Sequence, residues 1–186
     1  MKARITLAVA LFVGLGLSAQ AQGRDYPAVE IFGGYALSHQ QEGANINGWH
    51  GQAAFNMTES FGIVADVSSH SMGREPGVIG IAGLTDVRLT SYSVGPRASN
   101  RSLDPWSMYV QALFGQSYLT GQADIGGGLT EQQVTRPFTA TLGGGLDFEL
   151  TDSVSLRVVE VDYRLLRIQS TNSSGIRVST GVTFGF

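Results

Sequence analysis

Among the charged residues between 147 and 177, four acids and three arginines stand out: Asp147, Glu149, Arg157, Glu160, Asp162, Arg164 and Arg177. Glu30, Asp66 and Arg97 precede them at wider intervals. Carboxylates and guanidiniums brought together can line a path for ions, opened and closed by exchange of partners. They can also pair with one another and fill a space, since buried charges persist only when paired and hydrogen-bonded. The first use needs room between the groups. The second needs none.

Other chemistry is thinner. Ser68, His70 and Asp66 share one face of a single segment and are the types a hydrolase uses as nucleophile, base and orienting acid. At ~3.3 Å per residue they span about 13 Å end to end, too far for a relay. No G-x-S-x-G appears. His39, His50 and His70 are the only histidines and fall near the upper ends of three successive segments, where a metal at the rim is conceivable. No acid sits at ligand spacing, so no metal and no cofactor is expected. Cysteine is absent, which excludes disulfides and thiolate sites. The formal net charge of −3 carries no basic stripe, which argues against nucleic acid.

These residues must be positioned by strands. Apolar and polar side chains alternate with period two in stretches of about ten residues, broken by Gly, Ser, Asn, Asp and Pro. Eight such stretches fall at roughly 28–37, 47–57, 60–70, 86–97, 105–118, 137–150, 153–165 and 175–186. Short connections at 58–60, 98–104 and 151–153 alternate with longer ones at 38–46, 71–85, 119–136 and 166–174. That order predicts an up-and-down antiparallel meander with the long loops gathered at one end.

The first 21 residues read differently. Lys2 and Arg4 precede an apolar run, "ITLAVALFVGLGL", and Ala19 and Ala21 supply the spacing of an export-signal cleavage site. Residues 1–21 are therefore expected to be a cleaved signal peptide and residues 22–186 a single domain.

Parity separates two kinds of exported barrel. One face of each strand gathers Glu30, Asp66, Arg97, Asp147, Glu149 and Arg177, while the other gathers aromatics and aliphatics. A soluble barrel turns its apolar face inward. A narrow lumen suits small residues and paired charges, whereas bulky rings fit only outside, against lipid. The prediction is an all-β, eight-stranded antiparallel transmembrane barrel, because backbone groups in hydrocarbon must all be paired and the sheet must close. The segment "SVSLRVVEVDYRL" breaks parity at Arg157. A β-bulge at Val158–Val159 would return Arg157, Glu160, Asp162 and Arg164 to one inward face. Pro96 is expected at a strand end where pairing stops. Trp49, Trp106, Tyr109, Tyr118, Tyr163 and Phe186 are expected as girdle aromatics at the two interfaces.

The stretches "SYSVGPRAS", "MYVQALFGQSYL", "LGGGLDFELTDSVSLRVVEVDY" and the terminal "GVTFGF" together resemble the outer-membrane protein β-barrel domain family, the small OmpA/opacity-type barrels. The resemblance covers essentially the whole chain after the leader. It implies a cell outer-membrane location, short turns toward the periplasm and, often, no enzymatic activity. Phe186, with Phe184 and Val182 at alternate positions before it, resembles the terminal signal read by bacterial barrel assembly machinery. The expected partners are outer-membrane lipid, that machinery and an unidentified extracellular ligand at the loops, with the barrel a monomer. The favoured function is a non-enzymatic structural or surface-interaction barrel plugged by paired charges. A narrow porin-like channel is the alternative, and a lipid-modifying enzyme the third.

Overall fold

Alternation with a β-branched and aromatic outer face gives strands that can pair on both edges, and the chain uses both. The structure, a computed structural model, describes residues 26–40, 45–71, 84–124, 130–168 and 171–186. The expected signal peptide lies outside the described residues, as do parts of the long connections. The strands are β1 (Val29–Gln40), β2 (Asn45–Asn56), β3 (Phe61–Ser71), β4 (Leu84–Leu103), β5 (Trp106–Asp124), β6 (Thr130–Thr135), β7 (Phe138–Thr151), β8 (Val154–Ile168) and β9 (Thr171–Gly185). Both β6 and β7 pair with β5, in one continuing register, so they form a single stave interrupted at Arg136 and Pro137. The staves number eight, each antiparallel to its neighbours.

Closure runs to the last residue. β9 pairs with β1 from Gly185 to Gly175. Beyond it, Val29 N–H donates to Phe186 O (3.1 Å) and Phe186 N–H to Val29 O (2.8 Å). No sheet edge is left there for lipid to meet, which is the condition for strands to cross hydrocarbon.

The staves are staggered. Following partners from Ser38 through Arg177, Asp162, Gly143, Gln111, Arg97, Gly62 and Asn56 leads back to β1 at Ala28, whose carbonyl accepts the Asn56 N–H. One circuit has slid ten positions down the strand, from 38 to 28. A stagger of this kind tilts every strand and sets the width of the lumen.

Facing out, Tyr35, Trp49, Phe55, Val94, Val110, Phe114, Leu142 and Tyr163 are each between 47% and 66% exposed, part of a continuous apolar surface round the barrel. No water-soluble monomer leaves such an area bare. Inside, the buried apolar groups are few: Ala54, Val64 and Leu113 pack together, and Leu89, Leu119 and Leu166 form a second cluster.

Three expectations about connections are corrected. The stretch 98–104 is not a turn, because β4 continues to Leu103 and only Asp104 and Pro105 link it to Trp106. Most of 119–136 is strand: Leu119–Asp124 pair with Thr130–Thr135. Its polar composition reads as loop, yet outside the membrane polar strands can pair as well as apolar ones. Pro96 does not end a strand. It pairs with Ile63 of β3, while the ladder to β5 passes from Val94↔Phe114 to Arg97↔Gln111 without a rung at Gly95 or Pro96. The missing N–H thus omits part of one ladder and leaves the register intact.

Candidate functional site

The lumen is where polar chemistry collects. Asp66, Asp147, Glu160 and Asp162 are buried, and so are Arg97, Arg157, Arg164 and Arg177, each 6% exposed or less. Among the described residues four acids and four guanidiniums are buried there, in equal number, although Arg164 has no carboxylate in contact.

At the short-turn end, Glu30 accepts from Arg101 (2.6 Å), from Arg97 (3.4 Å) and from the Asn56 amide (2.9 Å). A cavity of about 500 Å³ opens there, reaching inward to Arg97, Tyr109 and Asp147. Glu149 lines this mouth and is exposed. Its expected place in the buried network is therefore corrected: parity directs it inward, but it stands too near the strand end to be covered.

Above the mouth, Arg157 grips Asp147 with two parallel bonds, Nε to Oδ1 (2.9 Å) and Nη2 to Oδ2 (3.1 Å). Its Nη1 donates to Glu160 Oε2 and to Gln52 Oε1, both at 2.7 Å. The guanidinium carbon lies 4.1 Å from the Phe32 ring centre and 4.6 Å from that of Tyr109. Arg97 lies 4.1 Å from the same Tyr109 ring centre and donates through Nη2 to Gln52 (2.5 Å) and Gln111 (3.0 Å). Bidentate pairing, amide acceptors and ring faces together satisfy a planar cation on nearly every side.

The middle layer turns on Glu160 and Asp66. Glu160 accepts from the Tyr109 hydroxyl (2.7 Å) and from the Gln52 and Gln111 amides (2.9 Å each). Arg177 donates to Asp66 (2.9 Å) and to Asp162 (2.6 and 2.9 Å). Two glycines make this possible. A Cβ at Gly143 would collide with the Asp162 carboxylate, and one at Gly145 would lie 2.5 Å from the Tyr109 hydroxyl. Higher still, Arg164 donates to the Ser91 hydroxyl, which bonds Ser117 (2.7 Å), which bonds Thr139 (2.6 Å).

The bulge lies at the expected place. β8 pairs Asp147 with Arg157 and then Leu146 with Val159, and toward β9 its register shifts between Arg157 and Glu160. Val158 is the extra residue, and Arg157, Glu160, Asp162 and Arg164 all face inward.

The histidines and Tyr109 are placed otherwise than expected. His39 is exposed and bonds Asn45 (2.8 Å), but His50 and His70 are each 1% exposed, inside the barrel. His50 follows the inward parity of Gln52 and Asn56, a signal present in the sequence and outweighed by reading the position as rim. Tyr109 shares the inward parity of Gln111 and is a lumen residue, not a girdle aromatic. Gln52, Gln111, Phe32 and Arg101 also belong to the network. Uncharged amides and a ring give no sequence signal beyond parity.

The expected trio of Ser68, His70 and Asp66 does not form a relay, because Asp66 is bound by His50 and Arg177. A different chain does form: Ser179 Oγ lies 3.0 Å from His50 Nδ1, and His50 Nε2 lies 2.6 Å from Asp66 Oδ2. All three are 5% exposed or less. The serine is buried in the lumen, and the chain of bonds fixes the imidazole between Ser179 and Asp66. His50, Asp66 and Glu160 also offer donor atoms within 4.8 Å of one another. Asp66 and Glu160 already accept from Arg177, Arg157, Tyr109 and the glutamine amides, so a cation would have to displace guanidiniums to bind.

In the terminal strand Phe184 points outward, 48% exposed, and Val182 and Phe186 are half-buried. Arg136 lies over the outward Tyr118 ring at 5.4 Å.

No protein-family model matches the sequence, and no curated protein matches it by sequence. Solved structures do match in fold. Neisserial surface protein A is similar with a TM-score of 0.65 at 15% identity, over 85% of this chain and 96% of that one. Ail, the attachment invasion locus protein of Yersinia pestis, solved with the heparin analogue sucrose octasulfate, gives 0.56 at 18% identity, over 84% and 97%. The outer membrane protein OprG from Pseudomonas aeruginosa gives 0.55 at 12%, over 89% and 98%. With its apolar outer belt, closed ladder and charged interior, the chain has the fold of the small eight-stranded outer-membrane β-barrels.

Proposed function

We propose that this chain is a non-enzymatic outer-membrane barrel whose interior is a plug and whose working surface is the long-loop end. One observation carries the reading: Arg97, Arg157 and Arg177 join Glu30, Asp147, Glu160, Asp66 and Asp162 in an unbroken series of ion pairs and hydrogen bonds from the mouth to mid-barrel. An ion would have to part several buried pairs to pass, each break costing about 3–5 kcal/mol. In this role lipid covers the belt, assembly machinery reads the strand ending in Phe184 and Phe186, and the barrel works as a monomer. The loops at the far end meet an extracellular ligand, and residues 1–21 direct export and are removed.

A second reading, a narrow channel, draws support from the cavity of about 500 Å³ at the short-turn end, which reaches inward to Tyr109 and Asp147. Planar-bilayer recording of the purified barrel tests both. The plug requires no stable unitary conductance. Steady unitary currents that disappear in Arg157→Gln or Asp162→Asn would replace it with the channel.

A further inference from the structure

The upper lumen differs in kind from the paired series beneath it. Arg164 is 2% exposed and reaches from β8 across to Ser91 on β4. Among the described residues no carboxylate pairs with it, and its Nη1 has no partner. The carboxylates below, Asp66 and Asp162, are both held by Arg177. Ser68, fully buried, is the register partner of Ser91, and its hydroxyl is also unpartnered. Two residues up the same face, His70 leaves both ring nitrogens unpartnered. Leu89, the partner of His70 across β3 and β4, packs with Leu119 and Leu166 over the long-loop side.

A buried guanidinium with no carboxylate in contact is costly, and three kinds of donor (guanidinium N–H, hydroxyl and imidazole N–H) lie along this upper stretch of the inner wall with bonds unmade. Water could satisfy the hydrogen bonds, but only an anion would also lie directly against the guanidinium. We propose that the upper lumen is a binding site for a small inorganic anion of halide size, held by Arg164 with Ser68 and His70. The narrow lumen of an eight-stranded barrel limits the size of the ion. An apolar lid favours a weakly hydrated one. Since the paired charges close the lower lumen, the ion enters and leaves past Leu89, Leu119 and Leu166.

Bromide soaked into crystals of the intact barrel tests the site directly. The expected result is an anomalous peak within hydrogen-bond distance of the Arg164 guanidinium, lost in Arg164→Met. Ordered water alone at that place, or bromide only on the outer surface (an adventitious ion only), would overturn the proposal. In solution, Tm in detergent is compared between chloride and a bulky organic sulfonate at equal ionic strength. Wild type should melt higher in chloride, and the difference should vanish in Arg164→Met. Should that variant not fold, Ser68→Ala must show a reduced difference. Equal melting of wild type in both anions counts against the site.

Discussion

Arg157 and Glu160 stand three residues apart on β8 and yet meet at 2.7 Å on the same inner wall. In a regular strand positions i and i+3 point to opposite faces. Val158, inserted between Asp147↔Arg157 and Leu146↔Val159, supplies the extra half-period. Removing Val158 leaves Arg157, Val159, Glu160, Val161 and Asp162 in plain alternation. The deletion should therefore be tolerated, with a stability loss of about 1 kcal/mol, the centre of ordinary mutational effects. Deleting Val161 instead reverses the faces of the adjoining strand and should abolish folding. Gel mobility of unheated against boiled protein distinguishes the two, and loss of the folded band in both deletions would refute this account of the bulge.

Removing one partner from the buried pairs should cost far more than removing both. Arg157→Met leaves Asp147 and Glu160 without their cation, with an expected loss of about 3–5 kcal/mol in urea unfolding from detergent. Adding Asp147→Asn and Glu160→Gln to it should recover much of that loss. A triple variant no more stable than the single one would show that the charges are not coupled as their geometry requires.

Gly145 faces Tyr109 so closely that a side chain cannot enter without moving the ring. Gly145→Val should destabilise by at least the ~1–3 kcal/mol typical of overpacking. Because the displaced hydroxyl also leaves Glu160, the combined variant Gly145→Val with Tyr109→Ala should unfold later in urea than Gly145→Val alone. The reverse order would mean that the ring is not what Gly145 accommodates.

Phe114, 53% exposed on β5, belongs to the apolar belt, and Gln116 is the next outward position toward the long loops. Phe114→Arg should cost about 2–4 kcal/mol, the depth-dependent charge for a guanidinium near the midplane, and Gln116→Arg much less. Measuring both by refolding into lipid vesicles places the upper edge of the belt between them. Equal costs would move that edge.

Truncation of Phe186 removes both backbone bonds to Val29. The yield of folded barrel in cells should fall, while refolding of purified protein into detergent should suffer less. Unchanged yield in cells would show that the terminal residue is not needed for assembly.

Strand existence, sidedness and the bulge were legible because each follows from alternation: Gln52, Ala54 and Asn56 must share a face whatever the tertiary fold. Where a strand stops was not legible. The polar run through Gly121 and Gln122 and the residues after Pro96 look like loop, but a neighbouring stave already in register holds them as strand. Depth was equally hidden. Glu149 and Asp147 have the same parity, yet one is exposed and the other buried, since only the barrel's stagger fixes how far each lies from the rim. Partner choice depends on that stagger too, which is how Arg177 comes to meet Asp66 as well as Asp162.

The seam between β1 and β9 gives the interior a role in assembly. Arg177 to Asp66, Arg157 to Gln52, Glu160 to Gln52 and His50 to Ser179 all link the first three staves to the last two. A half-inserted sheet, with these staves still apart, would leave Asp66 without Arg177 and turn the open sides of the remaining ion pairs toward acyl chains. Partial intermediates are thereby penalised and the zipped cylinder is rewarded, so the polar contents act as a checkpoint that only a completed ring can pass.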